Sequence, residues 1–172
     1  SCIDSSRASF IAFCLVFCPP VVVISISDDS DELTSDHIFS DSVVIMALIE
    51  YNSIFGPNLE VTVPNLANFD RKKYHYSYLC YGVSLKALVK LMNKKKYVFV
   101  GTNIACHNAF FILESEAKKL NLILPDTSDL TKYTTSYISE SRSIKGKLNY
   151  LSGKQKLKEI ENCEVINLSN PE

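Results

Sequence analysis

Residues 84–113, SLKALVKLMNKKKYVFVGTNIACHNAFFIL, decide how this chain is read. Ser84 is a favourable helix N-cap. Leu85, Leu88, Val89 and Met92 follow at i, i+3, i+4 and i+7, one face of a helix. Lys86, Lys90 and Lys94 fall on another face. Lys94, Lys95 and Lys96 close the helix as a solvated end, where positive charge suits the C-terminal dipole. Burying the four apolar side chains would contribute roughly 6–12 kcal/mol as an upper bound. Residues 97–100 are apolar on both faces, like an interior strand. Residues 101–108 are small and polar, and 109–113 read as a second strand. A link this short joins antiparallel neighbours. The stretch predicts a helix leading into a hairpin whose two strands are largely buried.

Toward the N terminus, 9–26 is the most apolar run, SFIAFCLVFCPPVVVISI. Pro19-Pro20 splits it and leaves each half too short for a membrane span. Only Arg7 precedes it, Asp4 offsets that charge, and no clear small-residue cleavage site follows, which argues against a signal peptide. A secreted or membrane-anchored protein would rest on this run alone. The expectation is an apolar lead-in over 1–20, then a buried strand at 21–26. That strand runs into the acidic cluster Ser27-Asp28-Asp29-Ser30-Asp31-Glu32. A short helix is predicted over 33–39, and 42–49 read as a second buried strand running into Glu50-Tyr51-Asn52. Gly56-Pro57 and Pro64 mark a loop over 54–64. Residues 65–82 are rich in tyrosine, and the alternation of Tyr74, Tyr76 and Tyr78 suits a strand edge, a packing surface or a sugar-stacking surface.

Toward the C terminus, 115–120 can make a short helix and Pro125 a break. Residues 126–143 are rich in Ser and Thr, and Gly146 suits a turn. A last helix is predicted over 153–160, with Leu157 and Ile160 on one side. Strand, acidic turn, helix, strand, acidic turn, helix and hairpin together describe an open α/β sheet, parallel strands plus a C-terminal antiparallel hairpin. Ligands in such sheets bind beyond the carboxyl ends of the parallel strands. Those ends carry Asp28 and Asp29, then Glu50 and Asn52.

Composition narrows the class. The chain has 172 residues, 47% apolar and 22% charged, enough for one globular domain with a sizeable core. Its net charge of −1 gives no domain-wide positive field for a nucleic-acid backbone. Cys2, Cys14, Cys18, Cys80, Cys106 and Cys163 have irregular spacings without zinc-ligand pairs. They read as reduced thiols in a cytoplasmic protein. His37, His75 and His107 have no i, i+4 relation, so no metal site is expected. The chain begins at Ser1 rather than Met, and a fragment or processed product is expected.

Four stretches carry a resemblance. They are ALIEYNSIFGPNLEVTVP (47–64), YGVSLKALVKL (81–91), YVFVGTNIACHNAFFI (97–112) and ESRSIKGKLNYLSGKQKL (140–157). Together they resemble the C-terminal half of FkbM-like S-adenosylmethionine-dependent methyltransferases, in the uncharacterised bacterial branch often found among surface-glycan biosynthesis genes. The resemblance implies a partial Rossmann-like, class I methyltransferase-like fold over 21–172 and S-adenosylmethionine as cofactor. It implies a small-molecule or glycan acceptor; the charge balance and the proline-split apolar run argue against nucleic-acid and membrane partners. Where the family pattern resembles Ser-Ile-Asp-Ile-Asp-Gly-Asn-Asp, this chain has Ser25-Ile26-Ser27-Asp28-Asp29-Ser30-Asp31-Glu32, without the first Asp and the Gly. Gly56, Gly82, Gly101, Gly146 and Gly153 lie too far apart to make a glycine-rich cofactor turn. An N-terminally incomplete enzyme is therefore expected, and the exposed edge of its sheet would favour self-association. The alternative is a non-catalytic remnant or interaction domain.

Methyl transfer needs a positioned nucleophile and sometimes a base for its proton. Asp28 or Asp29 would face the cofactor amine or the acceptor. Glu50 would accept a hydrogen bond from a sugar hydroxyl, and Asn52 would orient one. Tyr51, Asn103, His107 and Asn108 are the candidate substrate contacts. The plainer role for the acidic and amide groups is to cap helices and turns. Cys106 and His107 are adjacent and rarely face one another, so a Cys–His nucleophile is not expected.

Overall fold

Ser84 starts the best-formed helix, its hydroxyl oxygen accepting the Ala87 N–H at 3.4 Å. In the computed structural model, residues 22–25, 44–135 and 140–169 are described, with backbone alone for 22–25 and 44. The elements are β1 (Val22–Ser25), β2 (Val44–Glu50), β3 (Val61–Thr62), α1 (Arg71–Tyr74), α2 (Leu85–Lys94), β4 (Tyr97–Thr102), β5 (Asn108–Leu113), α3 (Glu114–Lys119), β6 (Ser141–Arg142), β7 (Leu148–Asn149), α4 (Gly153–Glu159) and β8 (Ile166–Asn167). Short 3-10 turns occupy Ser53–Phe55 and Thr131–Tyr133. The expectations for 1–20, the acidic cluster at 27–32 and a helix at 33–39 lie outside the described residues.

The spacing of α2 does what it predicts: Leu85, Leu88, Val89 and Met92 are all buried. The helix stops where the Lys95 N–H bonds the Leu91 and Met92 carbonyls and Lys96 takes a φ of 64°. The chain then enters β4 and returns as β5 in an antiparallel hairpin. One main core joins α2 to the sheet through Ala47, Ile49, Tyr51, Phe99, Ala109 and Phe111.

The sheet has the order β1-β2-β5-β4, so the four expected strands do lie together. Their directions differ from expectation. The pairs β1–β2, β2–β5 and β5–β4 are all antiparallel. A Rossmann-like α/β arrangement with parallel strands is thereby overturned. Near-continuous apolar runs suit parallel strands covered on both faces, but a strand of an antiparallel sheet can carry the same run, and here it does. Burial also differs in place. The interior strand of the hairpin is β5, whereas β4 is the sheet edge, with Phe99 buried and Val100 partly exposed. A register shift between Phe99 and Gly101 bulges that edge.

A second core gathers Ile54, Phe55, Val61, Val63, Leu79, Cys80 and Ile160. There Cys80 and Cys163 form a disulfide with a Cα–Cα distance of 6.5 Å, within the ordinary range. This corrects the reading of all six cysteines as reduced thiols. Cys106 is a buried free thiol. Ile160, which caps the C-terminus of α4, is buried as expected but Leu157 is partly exposed; the inward face centres on Lys156 and Ile160, one turn apart. The alternating tyrosines make no strand. Tyr74 closes α1 and donates to the Glu164 carbonyl, Tyr76 donates to Glu159, and Tyr78 lies under Arg142. Among the described residues no helix is long and apolar enough to cross a membrane.

Candidate functional site

Glu50 ends β2, and the antiparallel register sets it opposite Asn108, the first residue of β5. The end of β2 therefore abuts the turn between β4 and β5. Asn103 organises that turn. Its side-chain Oδ1 accepts the N–H groups of His107 and Asn108, each at 3.1 Å. Its carbonyl accepts the Cys106 N–H at 3.0 Å, and Cys106 takes a φ of 53°. The Asn103 amide also reaches His107 Nε2 at 3.4 Å. Finally, the Tyr51 N–H donates to the His107 carbonyl at 2.8 Å and pins the turn to β2.

The result is a partly exposed polar patch of Glu50, Asn103, His107 and Asn108. Burial pushes the Glu50 carboxyl above its ordinary value, while the charges of His107 and Arg71 draw it partway back. Arg71, on α1, lies 5.5 Å from the centre of the Tyr81 ring. Neither Arg71 nor Tyr81 carries a local signal in the sequence as a site residue, because only the fold brings α1 to the end of β2.

Tyr51 and Asn52 turn inward instead. Asn52 is fully buried and donates to the Leu79 and Tyr81 carbonyls at 2.8 and 3.0 Å. Its Oδ1 accepts the Ile54 N–H at 3.1 Å, so both amide donors are spent within the chain. The Tyr51 hydroxyl donates to the Tyr133 carbonyl. Burial first, then Cys106, pushes the Tyr51 phenol well above its ordinary range. These two residues hold the patch from beneath. Asp28 and Asp29 lie outside the described residues. The convergence at Glu50 is a product of antiparallel register, not of the parallel strand ends on which it was expected.

Two other clusters are separate from the patch. A groove of about 510 Å³ runs along α2, lined by Glu60, Lys86, Val89, Lys90 and Leu130 among others. Lys90 and Lys86 pair with Glu60 at 2.7 and 3.4 Å, and the Lys90 hydrogen bond holds the Glu60 carboxyl below its ordinary value. Elsewhere, His75 Nδ1 lies 2.6 Å from the Ser77 hydroxyl. Ser77 is fully buried, so this pair shapes a turn and cannot act as a nucleophile. Among the described residues no three His, Cys, Asp or Glu side chains converge as metal ligands.

No family model, no curated protein and no solved structure matches this chain.

Proposed function

We propose that the chain is a methyltransferase-like protein whose described residues supply the acceptor side of a site for a small or carbohydrate hydroxyl. The observation that supports this reading is the meeting of Glu50 with the Asn103-organised turn of His107 and Asn108. A carboxyl beside an imidazole and two amides can both accept and donate hydrogen bonds to a polyhydroxyl ligand, and Glu50 can receive a hydroxyl proton. The enzyme class itself rests on the sequence resemblance.

The described residues do not fit S-adenosylmethionine on their own. Their five glycines are scattered singly, Gly101 at the bulge of β4 and Gly153 at the start of α4 among them, and the α2 groove contains neither Glu50 nor His107. No step through the cofactor follows from them. A second reading, a non-catalytic interaction domain, is favoured by the complete burial of Tyr51 and Asn52, which leaves one side of a site at the surface among the described residues. A cytoplasmic setting belongs to the first reading, and the Cys80–Cys163 disulfide weighs against it.

Titration calorimetry separates the readings. Weak binding of methyl glycosides that is lost in Glu50→Gln, with no measurable binding of S-adenosylmethionine, is the expected result. A micromolar constant for S-adenosylmethionine would mean that the chain assembles a whole site. Silence with both ligands would favour the interaction domain.

A further inference from the structure

The hairpin β6–β7 joins its strands through a turn in which the Gly146 N–H bonds the Ser143 carbonyl at 2.8 Å. Ile144 and Lys145 are the two central residues, and Gly146 follows with a φ of 74°, a conformation glycine adopts without steric cost. Such turns favour Asp, Asn, Ser or Pro. Here a β-branched apolar side chain stands at the tip, 79% exposed. Leu148 and Tyr150 are 53% and 92% exposed close behind it. The hairpin is held in shape. The Ser143 N–H donates to the Lys147 carbonyl at 2.8 Å, Arg142 Nη1 donates to the Gly146 carbonyl at 3.1 Å, and the Arg142 N–H ties the base to the Ser77 carbonyl.

Charge is patterned with it. From Ser141 through Lys158 there are six basic residues and no acidic one, in a chain of net charge −1. Arg142 is paired with Glu140 at 2.6 Å. Lys145 and Lys147, either side of Gly146, have no ion-pair partner among the described residues. An aliphatic tip flanked by free lysines matches the two layers of an anionic bilayer surface. Apolar side chains enter the acyl boundary, ammonium groups meet lipid phosphates, and an exposed tyrosine ring suits headgroup level.

We propose that the β6–β7 hairpin docks this protein on anionic phospholipid surfaces, with Ile144 inserted and Lys145 and Lys147 on the headgroups. Single-stranded nucleic acid is the less suited polyanion, because its binding surfaces stack successive bases on several aromatic rings, and this hairpin presents a single ring, Tyr150, behind an aliphatic tip. The assignment departs from the expectation of no membrane partner and is independent of the reading at Glu50. A prefixed hairpin loses little conformational freedom on docking.

The test is sedimentation of the full chain with sucrose-loaded vesicles. One set is phosphatidylcholine with phosphatidylglycerol; the other is phosphatidylcholine alone. The chain should partition onto the anionic set and weaken with salt. Ile144→Asp and the double variant Lys145→Glu/Lys147→Glu should each lower the partition coefficient at least about tenfold. Far-UV circular dichroism should be unchanged, since both changes fall at an exposed turn. Three results overturn the proposal. One is no anionic partition. Another is partition that both variants leave intact, which would assign it to another segment such as 9–26. The last is loss in the lysine variant alone, accompanied by binding of a single-stranded oligonucleotide, which would assign the hairpin to nucleic acid.

Discussion

The hydroxyl oxygen of Ser84 accepts the backbone N–H of Val61 at 3.0 Å, while the Ser84 N–H donates back to the Val61 carbonyl at 2.9 Å. The same hydroxyl oxygen caps α2 at Ala87. One buried side chain thus fixes both where the helix begins and where β3 lies. Ser84→Ala removes the cap and leaves the Val61 N–H without its side-chain acceptor. A loss of about 2 kcal/mol is expected in urea unfolding, larger than a surface cap alone gives.

Leu88 is 2% exposed on the core face of α2. Leu88→Asp sets an unpaired charge against Phe99 and Phe111 in that core and should cost about 3 to 5 kcal/mol, enough to unfold a marginal domain. Lys90→Asp, on the opposite face, meets Glu60 instead and should lower the melting temperature only slightly, an effect that added salt removes. Equal melting temperatures for the two variants would mean that the helix face is misassigned.

The raised Glu50 carboxyl predicts a pH signature. A carboxyl whose folded value exceeds its unfolded value binds its proton more tightly in the native state. Its contribution is full below the unfolded value, near 4.5, and is lost as pH rises through the folded value. Glu50→Gln lacks that slope. Thermal melts from pH 4 to pH 7, on the order of that range, should show the variant gaining on the native chain as pH rises. A constant difference across the series would place the cause outside Glu50 ionisation.

Loss of the Cys80–Cys163 bond should matter more than loss of any single hydrogen bond. The two cysteines are 83 positions apart, and the chain-entropy model gives about 4 to 5 kcal/mol for closing a loop of that size. Cys163→Ser should lose stability of that order, with no further loss on adding reductant. The native chain should fall to the same level when reduced. Alkylation under denaturing, non-reducing conditions should leave Cys80 and Cys163 unlabelled.

Local features were the legible ones. The face of α2 could be read because four apolar residues repeat at the helical period, and the β4–β5 hairpin because a short polar link separates two apolar runs. Strand direction and strand position were not legible. Nothing in 21–26 or 42–49 encodes which way they run, and β4 reads as interior although only Phe99 of its side chains is fully covered. Glu50 was identified on a parallel-sheet premise that the fold does not bear out, whereas Asn103, His107 and Asn108 were identified as hairpin-loop residues; antiparallel register joins the two sets. Arg71 and the partner of Cys80 escaped notice because both are long-range relations without a local pattern.

The Cys80–Cys163 bond makes the chain between them a closed covalent ring, with α2, β4 and β5 inside it and β2 outside. The polar patch straddles that boundary, since Glu50 lies outside the ring and Asn108 within it. A protease cutting the exposed apolar segment around Leu122, Ile123 and Leu124 would open the ring without releasing a fragment. Such a nicked molecule would run as one band without reductant and as two with it, and β5 would stay tethered to the rest of the sheet.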